Sequence, residues 1–123
     1  MNSRVADDPS GVLERYLHEQ LHWALGGQED ILQHLTHVFR NRYPGIPTTP
    51  PDGASDEWPT YLHVIVCALS YAALEDLTGM DEARRVFEAN ARIFYRVIHR
   101  LVLDHHAAIM ETIRAARLRW VRG

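Results

Sequence analysis

The sequence predicts an all-α protein, a small bundle of four to five helices with a long bent C-terminal helix. Three observations predict it. Apolar residues recur at helical spacing in several separate stretches, residues that start or stop helices lie between those stretches, and strand-like alternation occurs nowhere. A length of 123 residues fits a single domain spanning 1–123, with a flexible N-terminus over 1–8.

Asp8-Pro9 offers a cap followed by proline at the first helical position. Leu13, Tyr16, Leu17, Leu21 and Ala24 then form an apolar stripe. Gly26-Gly27 interrupts the pattern, and the pair suits either a kink in one helix or a turn between two. A second stripe holds Ile31, Leu32, Leu35, Val38 and Phe39, and stops before Tyr43-Pro44-Gly45. Residues 44–55 are rich in proline and glycine and read as a loop, after which Ser55 or Asp56 can cap the next helix.

Residues 58–74 contain no Lys, Arg, Asp or Glu. A helix that is apolar all round is buried all round. The run is shorter than the roughly 20 apolar residues of a membrane span, so a central core helix is expected and no membrane partner. Thr78-Gly79 closes it, and Asp81 and Glu82 suit the start of the next helix. From there Phe87, Ala91, Phe94, Ile98, Leu101, His105, Ile109, Ile113, Ala116 and Trp120 make one long stripe. Some forty residues in one helix would span about 60 Å, so a bend near Asp104-His105-His106 is expected.

Composition excludes several classes. With 46% hydrophobic and 24% charged residues the chain is globular in character. Its formal charge of −3 opposes a surface that coats nucleic acid or anionic membrane as a whole. The single cysteine, Cys67, forbids an internal disulfide, and its apolar neighbours predict an inert thiol. The opening MNSRVADDPS has no apolar stretch of the kind a secretion signal needs, so the cytoplasm is the expected compartment. A core helix with few neighbours to cover it calls for a second copy of the chain, and a homodimer or another protein is the expected partner. On these grounds the leading expectation is a non-enzymatic, self-associating helical module for protein–protein interaction.

Eight histidines point to a second class, a metal-binding bundle able to act as a metalloenzyme. His18-Glu19-Gln20-Leu21-His22 matches H-E-x-x-H, which places two imidazoles one turn apart with a glutamate beside them. The zinc proteases that use this motif surround it with a sheet, which this chain has no strands to build. The row Glu14, His18, His22 is spaced by four, and Asp30, His34 and His37 form a second row beyond the glycine pair. A hairpin at Gly26-Gly27 would face the rows towards each other, offering imidazoles and carboxylates to zinc, iron or manganese. His63, inside the apolar helix, is expected level with the turn that carries His99, making a buried histidine pair.

A third class involves nucleic acid. Arg100 with His105 or His106, Arg92 with His99, and Arg15 with His22 have a spacing similar to the R-x(4–6)-H signature of the HEPN (higher eukaryotes and prokaryotes nucleotide-binding) ribonucleases. Those proteins are dimeric all-α bundles, so the resemblance implies RNA cleavage by the last helix. The residue after the arginine, usually polar in that family, is Leu101 or Ile93 here. Thirteen arginines and eight histidines also give a few such spacings by chance. Arg114, Arg117, Arg119 and Arg122 make the C-terminus locally basic, which suits a phosphate backbone or an acidic partner.

Overall fold

The computed structural model describes residues 9–48, 57–91 and 96–119. Among these there are five helices and no strand: α1 (Pro9–Leu25), α2 (Glu29–Arg42), α3 (Glu57–Thr78), α4 (Met80–Asn90) and α5 (Arg96–Ala115). The expected cap at Asp8 and those at Ser55 and Asp56 lie outside the described residues, as do residues 1–8 and most of the proline-rich loop.

Helix α3 is the axis. It is long and apolar enough to cross a membrane by length and composition, yet all four other helices pack on it. Tyr61, Val64, Ile65, Val66, Cys67, Ala68, Leu69 and Leu74 are buried on successive faces of it. Helices of the same chain cover those faces.

Each surrounding helix contributes its apolar stripe. Leu21 and Leu25 come from α1, Leu35 and Phe39 from α2, Val86 and Phe87 from α4, and Ile98, Val102, Ile109, Met110 and Ile113 from α5. Tyr16 leaves the stripe assigned to it and is 59% exposed. With Val12 and Trp23 it forms an outward face of α1, within about 40° on ideal periodicity.

The glycine pair is a turn, with Gly27 at φ 86°. Its effect differs from a simple hairpin, because α1 packs on α3 and α4 while α2 packs on α3. Tyr43 and Gly45 (φ 78°) end α2, and Tyr61 anchors the exit by donating its hydroxyl to the Tyr43 carbonyl at 2.7 Å. The expected long last helix is two helices, α4 and α5, which pack on α3 and on each other. A single rod would leave half its stripe without a partner, whereas two shorter helices bury both halves. Within α5 the backbone leaves helical geometry at His105 (φ −130°, ψ 23°).

The chain beyond Ala115 also departs from the helix expected to run to Trp120. Arg117 adopts a left-handed backbone (φ 61°) in the position where helices commonly terminate. Leu118 then buries itself, and Gln28 clasps the backbone of Arg119. The Gln28 amide donates to the Arg119 carbonyl at 2.8 Å, and its oxygen accepts the Arg119 N–H at 2.8 Å. One side chain in the α1–α2 turn thus fastens the end of α5.

Two predictions follow from this packing. Gln28→Ala removes two hydrogen bonds to the part-buried backbone of Arg119 and should cost about 1–2 kcal/mol. Chemical denaturation reads that loss, and the Arg119 amide should lose its protection against hydrogen exchange. The second concerns His106, which packs on Tyr71 at 4.6 Å and donates Nε2–H to the Ala68 carbonyl at 3.3 Å. Burial holds its pKa below the usual value. The unfolded chain, with an ordinary histidine pKa near 6.5, therefore takes up a proton first as pH falls. This group lowers stability below about pH 6.5 and is neutral above it. His106→Leu should flatten the acid limb of the urea-midpoint profile between pH 7.5 and 5.5, and an unchanged slope would contradict the assignment.

Candidate metal centre

Helix α1 supplies a row of three polar side chains, because a spacing of four returns to nearly the same face. Glu14 comes first and deepest, then His18, then His22 at the solvent edge. Beneath them, α3 presents His63, the histidine in its apolar run. Ring centroids lie 4.8 Å apart for His18–His22, 5.3 Å for His18–His63 and 5.3 Å for His22–His63. One ring nitrogen from each histidine lies within 4.8 Å of the others, the one group of this kind among the described residues. Tetrahedral zinc with bonds of 2.0–2.1 Å needs nitrogens about 3.3 Å apart, a contraction within reach of side-chain rotation.

The imidazole of His63 is already oriented. Its Nδ1 lies 2.7 Å from the Pro59 carbonyl, one turn earlier on α3. A carbonyl only accepts, so Nδ1 carries the proton and Nε2 keeps its lone pair. The Pro59 carbonyl can accept this bond because a carbonyl oxygen has two lone pairs.

The surroundings of His18 and His63 favour their neutral forms. Burial, followed by repulsion from His63, His22 and His99, lowers the pKa of His18 to about 3. Burial also lowers that of His63. Glu14, only 4% exposed, is pushed up to about 7 by burial, against the opposing effects of its hydrogen bond with Asn90 and the charge of Arg15. The Asn90 amide donates to one carboxyl oxygen at 3.2 Å, and the other oxygen lies 4.0 Å from His18 Nδ1. Neutral nitrogen donors are the form that binds metal ions.

The structure unites His18, His22 and His63, with Glu14 against His18, and leaves the second row elsewhere. His37 bonds Arg40 and Asn41 on its own helix, His34 is exposed, and Asp30 lines a surface cavity with Arg119. The two rows do not face one another because the turn sends α1 and α2 to separate faces of α3. His99 is buried with its ring edge-to-face on Phe87 at 4.9 Å, and His63 stacks on His18 and meets His22 edge-on. The inclusion of His63 was not readable from spacing, because the register between α1 and α3 is a tertiary fact. Its one signal was an imidazole within the uncharged run 58–74.

The basic candidates do not share a single helix face. Arg114 ends α5, Arg117 sits in the left-handed turn, the backbone of Arg119 is held by Gln28, and Arg122 lies outside the described residues. Arg100 and His105 line an open groove with Arg96 and Leu101, and the His105 ring lies 5.3 Å from that of Tyr43. Arg92 falls outside the described residues. Comparison with known proteins finds no matching family model, no matching curated protein and no matching solved structure.

Cys67 is fully buried on α3, and burial, with a smaller effect from Glu14, raises its pKa well above the ordinary thiol value. It should be inert to thiol reagents in the folded protein. Its modification rate with excess reagent should follow the unfolding rate as urea is added, and rapid labelling of native protein would contradict the packing described.

Proposed function

We propose that the protein is a metal-binding helical bundle whose centre is the three-histidine set His18, His22 and His63. The observation that carries this reading is the convergence of ring nitrogens from three histidines on two helices, with the His63 ring oriented by its Nδ1 bond to the Pro59 carbonyl. Zinc is the ion that fits best, since three imidazoles suit it and leave a fourth position open. The exposure of His22 puts that position on the solvent side. Iron, manganese and copper are the competitors for the same donors. A centre of this kind supplies Lewis-acid chemistry to whatever occupies the open position.

A second reading, self-association, is favoured by a different observation. Val12, Tyr16 and Trp23 share the outward face of α1, and Trp23 is 82% exposed. Large exposed aromatic groups clustered on one face mark contact surfaces. Sedimentation of the wild type beside a Tyr16→Ser/Trp23→Ser variant tests it, with a dimer expected only for the wild type.

Zinc titration of chelator-treated protein tests the metal reading. One ion per chain is expected, and saturation at a hundred times the dissociation constant should stabilise the fold by about 2.7 kcal/mol. His18→Ala/His22→Ala and His63→Ala should abolish stoichiometric binding, whereas His34→Ala/His37→Ala should leave it intact. Binding that survives loss of the trio, or less than stoichiometric uptake by the wild type, would overturn the assignment.

A further inference from the structure

Glu14 is a buried carboxyl that the three-histidine reading leaves without a role. A carboxyl in an apolar interior is costly unless its oxygens have partners. Asn90, on α4, holds one oxygen at 3.2 Å. The other oxygen points at His18 Nδ1, 4.0 Å away and one helical turn later in the same row. Metal-bound histidines are commonly oriented through the ring nitrogen that does not bind the ion, by a carboxylate or a backbone carbonyl. His63 has that second arrangement already, through Pro59.

We propose that Glu14 is the positioning residue of the centre. Its free carboxyl oxygen accepts the Nδ1–H of His18 and fixes the ring in the tautomer whose Nε2 faces the ion. Asn90 keeps the carboxyl aimed, so α4 supports a site whose ligands lie on α1 and α3. A hydrogen bond needs the 4.0 Å gap to close by about 1 Å. That movement accompanies the contraction that draws the three nitrogens onto an ion. The inference rests on the metal reading above and adds a residue that touches no metal.

The experiment compares zinc affinity, by competition with a chromophoric chelator, in the wild type, Glu14→Leu and Glu14→Gln. Leucine removes the acceptor and should weaken binding about 10–100-fold. Glutamine keeps a side-chain oxygen and should recover part of that loss. In metal-free protein, Glu14→Leu should unfold at a temperature no lower than the wild type, because it replaces a buried carboxyl with an apolar group. Weaker binding without weaker folding separates positioning from a purely structural role. Nitrogen-15 spectra of zinc-loaded wild type should show His18 bound through Nε2 with a protonated Nδ1, a readout that needs no variant to fold. Coordination through Nδ1, or wild-type affinity in Glu14→Leu, would overturn the role of Glu14 and leave the metal centre standing. A wild type that takes up no zinc would remove both.

Discussion

The structure depends on one constraint, that α3 has no charged side chain along its central stretch and must be surrounded. An apolar helix cannot leave a face in water without losing roughly 25 cal/mol for each square ångström of apolar area left exposed. Four helices of the same chain satisfy it by packing their stripes against successive faces of α3. The turns follow from that arrangement. Gly27 and Gly79 take positive φ angles where the chain must reverse onto the axis, and Gln28 and Leu118 draw the C-terminal end back to the first turn.

The candidate centre is the exception to this apolar packing. His63 belongs to the axis, His18 and His22 to the helix lying over it, and Glu14 and Asn90 connect them to α4. Placing three imidazoles and a carboxyl together at the edge of a small core opposes stability, since each polar group gives up water on burial. Departures from consistent core chemistry of this kind mark functional positions. The cost is limited by the hydrogen bond His63 donates to the Pro59 carbonyl, by the one Asn90 donates to Glu14, and by the neutral forms of His18 and His63. A fixed tautomer presents the lone pair that the proposed ion would need, where an unfixed ring would alternate between a lone pair and a proton.

Helix boundaries were legible wherever a residue enforces them alone. Proline at position 9, Tyr43-Pro44-Gly45 and Thr78-Gly79 each act through local backbone geometry, whereas the glycine pair at 26–27 suited a kink as well as a turn. Periodicity was less dependable where it met the surface. Tyr16 fits an apolar stripe by type but faces outward, since the main packing of α1 among the described residues is on α3 and α4. The last forty residues read as one stripe because apolar residues recur at helical spacing through both α4 and α5, and spacing carries no information about a break between them.

The sequence by itself determined the class of the fold, the identity of the buried axis and the row Glu14, His18, His22, because each follows from spacing along one helix or from local backbone chemistry. Tertiary structure decided which groups share a site. It placed His63 under the α1 row, sent His34 and His37 elsewhere, and set Asn90 against Glu14. The physical reason is that helix register and facing come from how side chains of different helices interlock around α3. That fit depends on every stripe at once, and no single stretch of sequence records it.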